Sequence, residues 1–156
     1  MKWLAPTLLF ATTFCFVAPA RGFADDMRVI SPDQMKWAPL DAIPGTEIAV
    51  LSGDLGKQGP FVMEWRGPAG AKASPHWHTN PEGFLLLSGN GMAGMGDKFD
   101  AQNGMPISAG AYAEVPAKMH HWFLAQTPFV ALIEGEGPFD VHFINAADDP
   151  RNKAPQ

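Results

Sequence analysis

Three side chains able to bind a metal ion crowd one short stretch, GAKASPHWHTNPEGFLLLSG (residues 70–89): His76, His78 and Glu82. Side chains along a strand repeat every two residues, so His76 and His78 point to the same face. Asn80-Pro81 is a turn signal that reverses the chain and brings Glu82 back towards the two imidazoles. Two neutral nitrogens and one carboxylate oxygen, converging from adjacent strands, begin a shell for a divalent transition metal.

A second stretch, GAYAEVPAKMHHWFLA (110–125), offers a further imidazole. A strand starting at this point puts His121 and Phe123 on one face, His120 and Trp122 on the other. Only one of His120 and His121 therefore joins His76 and His78.

The two stretches resemble the two motifs of the RmlC-like cupin superfamily. The first motif is Gly, five residues, His-x-His, three or four residues, Glu, six residues and Gly; Gly70, His76, His78, Glu82 and Gly89 meet every spacing. The second is Gly, five residues, Pro-x-Gly-x-x-His; Gly110, Pro116 and His121 match it, with Lys118 where the family has Gly. The ending is similar to that of small single-barrel bacterial cupins, in Gly137-Pro138-Phe139 and in Asn145 to Pro150. The resemblance spans residues 45–150. It implies a double-stranded β-helix, the jelly-roll barrel, with one metal ion held by His76, His78, Glu82 and His121. It also implies a homodimer, for which the N-terminal segment with Met35 and Trp37 is the candidate contact.

Three His and one Glu leave two positions open on an octahedral ion, and open positions mark a reactive site rather than a structural one. Phe84 and Leu86 follow Glu82 on its face, and Phe123 and Ala125 follow His121. The expected pocket is largely apolar and suits a small organic ligand. Its rim is Trp65 or Arg66, Met63 or Glu64, and Tyr112 or Glu114, according to strand parity. His142, between Val141 and Phe143, reads as a wall residue that can shuttle protons where it faces the pocket.

Short strands must position these groups. Runs at 47–51, 61–66, 83–88, 91–96, 111–115, 121–126, 129–134 and 139–145, together with the histidine stretch, have strand character. Phe61 to Arg66 alternates clearly. Gly89-Asn90-Gly91 marks a hairpin, and 97–108, polar with Gly104 and Pro106, reads as a loop. Close-spaced strands with no convincing helix predict an all-β barrel over 46–146. Residues 25–45 read as an N-terminal arm with a turn at Ser31-Pro32-Asp33, and 147–156 as a polar tail. Trp37 reads as a packing anchor on the outside of a sheet.

The 156 residues suit one domain, with 46% hydrophobic and 17% charged side chains and abundant Gly (16) and Pro (15). Residues 1–24 read as a cleaved signal peptide: Lys2, an apolar run from Leu4 to Ala20, and small residues Gly22 and Ala24 before the cut. The remainder carries nine basic against sixteen acidic side chains, net −7, which argues against nucleic acid and anionic membrane surfaces as partners. The single Cys15 lies in the leader, leaving neither disulfide nor thiol ligand. The expected location is periplasmic or secreted, without membrane attachment after cleavage. Loading from periplasmic ions favours Zn²⁺ or Cu²⁺ over Fe²⁺ and Mn²⁺, with Fe, Mn and Ni as the alternative metals. The function expected is a metal-dependent enzyme on a small organic molecule, of dioxygenase, isomerase, decarboxylase or lyase type. The alternative is a non-catalytic module that binds or senses a small ligand or the metal.

Overall fold

Alternation of apolar and polar side chains builds the walls that carry the site. The computed structural model describes residues 27–152. The strands are β1 (Ala38–Pro39), β2 (Glu47–Ser52), β3 (Gly59–Gly67), β4 (Lys72–Trp77), β5 (Glu82–Ser88), β6 (Asn90–Met95), β7 (Met105–Ser108), β8 (Tyr112–Val115), β9 (His121–Ala125), β10 (Phe129–Gly137) and β11 (His142–Phe143). They form two antiparallel sheets, in the orders β1-β2-β3-β10-β5-β8 and β11-β4-β9-β6-β7. This is the expected all-β jelly-roll barrel. Its core lies between the sheets, where Phe61, Met63 and Trp65 of β3 meet Phe129, Ala131 and Ile133 of β10 and Phe123 of β9. Trp65 packs edge-on against Phe123 and Phe129, with ring centroids 5.4 and 4.7 Å away.

Two sequence expectations need correction. Met105–Ser108, read as part of a loop, is strand β7 and pairs with β6 from Asn90↔Ser108 to Ala93↔Met105. Pro106 lacks an N–H, but β7 lies at the sheet edge, where nothing beyond it needs that donor. Conversely, of the run 139–145 only His142–Phe143 is strand. Phe139 instead donates its N–H to the Leu55 carbonyl at 2.8 Å, a loop contact that replaces the ladder.

The N-terminal segment has a 3-10 turn at Pro32–Gln34, where Ser31-Pro32-Asp33 predicts a turn. Trp37 packs on the outside, beneath the Arg66 guanidinium at 3.8 Å. Further on, the segment turns inward. Thr46 donates its hydroxyl to the Ile43 carbonyl at 2.7 Å, and Leu40 donates its N–H to the Thr46 carbonyl at 3.0 Å. These bonds close a tight loop that buries Ala42 and Ile43 against the core. The polar ending forms two 3-10 turns, Ala146–Asp148 and Pro150–Asn152. Residues 1–24, expected to be a signal peptide, lie outside the described residues.

Candidate metal centre

His76 sits near the end of β4, directly opposite His121, the first residue of β9. The register shifts between Ala73 and His76, so two residues of β4, Ser74 and Pro75, face one of β9, Trp122. Pro75, with no N–H to give, sits in this bulge. The extra residue reverses the parity of the strand. Ala73 and His76 both face inward, although alternation would separate them. His78 follows two residues later on the same face, and Glu82 opens β5 in the opposite sheet. The cluster thus bridges the two sheets at one end of the barrel.

The imidazoles of His76, His78 and His121 form a group able to hold a metal ion, with ligating atoms within 4.8 Å of one another. Ring centroids lie 4.9 Å apart for His76–His78, 4.2 Å for His76–His121 and 5.1 Å for His78–His121. Each Nδ1 faces a backbone carbonyl: Ser74 for His76 at 2.7 Å, Asp140 for His78, and Met119 for His121 at 3.0 Å. A carbonyl accepts only from an N–H, so each Nδ1 carries a proton. In the neutral ring this leaves a lone pair on each Nε2. Such pinning is what orients imidazoles around a metal.

Glu82 lies beside this group. Its Oε2 is 3.4 Å from His78 Nε2 and its Oε1 3.6 Å from His121 Nε2, with the carboxylate side chain 8% exposed. Oε2 has no hydrogen-bond partner. A buried carboxylate oxygen without a donor is costly, and a cation among the four groups satisfies it. On this test the residues fit a divalent ion.

The electrostatics agree. Burial, reinforced by the neighbouring His121 and His78, depresses the pKa of His76 to about 3, so it is a neutral donor. Burial would raise Glu82, but the His121 and His78 imidazoles outweigh it and draw its pKa down to about 2. Burial also pushes His78 down, yet the Glu82 carboxylate prevails and raises it above the ordinary histidine value. Without an ion, the Glu82 charge favours a proton on His78, whose Nε2 lies 3.4 Å from Oε2 without forming a hydrogen bond to it, and a metal must displace that proton.

The backbone behind His78 is anchored from outside. Thr79 donates its N–H and hydroxyl to the Asp140 carboxylate at 2.8 and 2.6 Å. His142 Nε2 approaches the same carboxylate at 3.0 Å. The carbonyl of Asp140 is the acceptor for His78, so these side-chain contacts fix that carbonyl. Sequence reasoning missed Asp140 because its contribution comes from the main chain, which no side-chain pattern encodes.

Of the pocket residues expected from sequence, Phe84 and Phe123 line the cavity. Leu86 is fully buried but packs in the core beyond it. Tyr112 must be corrected: it is 54% exposed, on the outer wall. It pairs with Leu85, which alternation turns away from the inward Phe84 and Leu86. His142 also lies outside. It pairs with Trp77, the outward residue between His76 and His78, and stacks on its ring at 4.1 Å. His120 points out as well, bound to Asp97 at 2.6 Å. Met63 and Trp65, not Glu64 and Arg66, face inward, as does Ala113 in place of Tyr112. Sequence reasoning missed Leu40 and Ile43, from the N-terminal segment, and Phe139, which stacks on His78 at 5.3 Å. The Pro44-Gly45 turn was the available signal that this segment folds back.

The cavity beside the cluster holds about 80 Å³ of free space. Among the described residues, His76, His78, Glu82 and His121 are its only titratable lining residues; the others are apolar or tryptophan.

A model of the ChrR cupin-like domain matches residues 25–131. No curated protein matches the sequence. Among solved structures, the polyketide cyclase RemF from Streptomyces resistomycificus is similar at a TM-score of 0.65 and 16% identity, covering 80% of this chain and 90% of that one. A cupin-2 domain protein from Rhodospirillum rubrum gives a TM-score of 0.59 at 17% identity, over 84% and 87% of the two chains. A sugar phosphate isomerase of the cupin superfamily from Silicibacter pomeroyi gives 0.56 at 22% identity, over 70% and 76%. At these identities the likeness is one of fold.

Proposed function

We propose, from the premise that this chain belongs to the ChrR cupin-like domain family, that it is an exported, metal-dependent enzyme acting on a small organic molecule. The observation that carries this reading is the inward set of three Nε2 atoms beside the partnerless buried oxygen of Glu82. His76, His78 and His121 are the imidazole ligands, and Glu82 supplies the carboxylate. Bound there, the ion supplies Lewis-acid or redox chemistry to an oxygen-bearing ligand. The chain itself orients the imidazoles through the Ser74, Asp140 and Met119 carbonyls. The apolar walls, Phe84, Phe123 and Ile133 among them, exclude bulk water and confine the ligand. The solved neighbours include a cyclase and an isomerase, which agrees with catalysis on this fold without choosing a reaction.

One observation favours a second reading, a non-catalytic module that binds a ligand or senses the metal. No lining side chain outside the four ligands can exchange a proton near neutral pH. Protein purified from the periplasm without added metal separates the two. Elemental analysis is expected to find Zn or Cu, and metal-dependent conversion of small carbonyl compounds supports the enzyme. Predominantly Fe or Mn content contradicts the proposed route of loading. Stoichiometric metal with no conversion across such compounds favours the module.

A further inference from the structure

Residues 138–144 run as a strap, antiparallel, behind the histidine stretch. Ile144 donates its N–H to the Pro75 carbonyl at 3.0 Å, Phe143 pairs with His76, and His142 pairs with Trp77. Further along, the Asp140 carbonyl accepts from His78 Nδ1. The strap therefore supports two of the three imidazoles. His78 needs it most, because β4 ends at Trp77, one residue before it.

The strap holds poorly on its own. Only His142–Phe143 is strand, at the edge of its sheet, and so short a strand makes few ladder bonds. The chain's ending fastens it. That ending is folded on itself: Asn145 accepts from the Ala147 N–H at 3.1 Å, and Asn152 donates to the Ala146 carbonyl at 3.2 Å. From it, Arg151 reaches back to the strap. Its Nη2 donates to the Val141 carbonyl at 2.8 Å, one peptide beyond the carbonyl that holds His78. Its guanidinium also lies 5.8 Å from the centre of the Phe143 ring, which is 6.1 Å from that of His76. Asp149 fixes this pose, accepting from Nε at 2.8 Å and from Nη2 at 2.9 Å. A two-point grip sets the orientation of an Arg as well as its place.

We infer that Arg151 is a positioning residue of the metal centre, through which the chain's ending holds the strap behind His76 and His78. The inference rests on the metal reading proposed above. A ligand already held in place binds an ion more tightly than one that must be ordered as the ion arrives. The ending that resembles those of other small cupins thereby acquires a task at the site, although none of its residues lines the cavity.

The test uses the full chain and Zn²⁺. Competition against a chelator reads affinity, and NMR of the loaded protein follows solvent exchange of the His78 Nδ1–H. Arg151→Ala is expected to weaken Zn²⁺ binding about fivefold, the loss of one hydrogen bond from a charged donor, and to speed that exchange. Arg151→Lys still donates to the Val141 carbonyl but cannot grip Asp149 at two points, so it should recover part of the loss. Asp149→Asn leaves Arg151 in place with a weaker grip and should move both readouts in the same direction, by less. Arg66→Ala removes a comparable clamp from the other sheet, where Nε and Nη2 meet Glu47 at 3.0 and 2.8 Å, and should move neither. A parent chain that binds Zn²⁺ and an Arg151→Ala variant that binds it equally tightly, with unchanged exchange, overturn the inference alone. An equal loss in Arg66→Ala overturns it too, since general loosening then suffices. A parent chain that binds no Zn²⁺ overturns the metal reading and this inference with it.

Discussion

His76 carries the clearest pH signature in the molecule. Its pKa is about 3 folded, against an ordinary value of 6.5, because burial disfavours its charged form. Between these values the unfolded chain binds a proton that the folded chain does not, so stability rises with pH across this window. Glu82, drawn from 4.5 to about 2, acts in the same direction at lower pH. The metal-free protein is therefore expected to lose stability as pH falls from 6.5 towards 3, read as a falling urea midpoint. His76→Gln should flatten the upper part of that fall; an equally steep fall in the variant would show that another group is responsible. His78 works the other way. Raised by Glu82, it keeps a proton to higher pH, so metal affinity should weaken as pH drops through neutrality, with proton release on binding. At the same scale, Asp140→Ala removes the carboxylate that Thr79 and His142 hold, and with it the fixed carbonyl behind His78. Metal affinity is expected to drop roughly tenfold or more by calorimetry. Unchanged affinity would mean that the carbonyl stays in place without its clamp.

Strands and turns set which residues can meet, and here sequence reading succeeded and failed for identifiable reasons. His76 and His121 were legible because motif spacing marks them, whatever the strand does between them. The bulge at Ser74-Pro75 was not legible, since parity alone cannot reveal an inserted residue. Tyr112 and His142 were misplaced because their faces depend on which partner each strand meets, Leu85 and Trp77, and register is not written in one strand alone. Strand β7 was masked by Pro106, which only an edge position accommodates. Lys118 presents a separate test. It replaces the motif glycine yet adopts φ +62°, and its N–H donates to the His78 carbonyl at 2.9 Å. A side chain in this left-handed region costs about 1–2 kcal/mol, partly offset by the smaller chain entropy of Lys relative to Gly. Lys118→Gly should raise stability by roughly 0.5–1 kcal/mol, seen as a higher denaturation midpoint, and a lower midpoint would refute that strain. Gly94 makes the opposite case. It pairs with Trp122, whose ring occupies the space where a Cβ would stand. Gly94→Ala should destabilise the protein by roughly 1–3 kcal/mol, and a neutral effect would show that Trp122 can move aside.

At the level of the whole molecule, two facing sheets bring together a ligand set that no single sheet contains. His76 and His121 come from one sheet, His78 from just past the end of strand β4, Glu82 from the other sheet, and Leu40 and Ile43 of the N-terminal segment line the same cavity. The barrel and its motif residues could be inferred from spacing, whereas the size of the cavity could not, because volume depends on how all the walls pack at once. Export remains a proposal at this scale; a mature protein beginning at Asp25, established by N-terminal sequencing of periplasmic material, supports it, and an intact Met1 in the cytoplasm contradicts it. The central claim, that the inward cluster is one metal site, is tested most directly by Zn²⁺ calorimetry on the full chain and its single variants. One ion per chain is predicted, with affinity falling at least 100-fold in His76→Ala, His78→Ala and His121→Ala and holding in His120→Ala. Absence of Zn²⁺ binding, or binding that survives His121→Ala and disappears in His120→Ala, would contradict it.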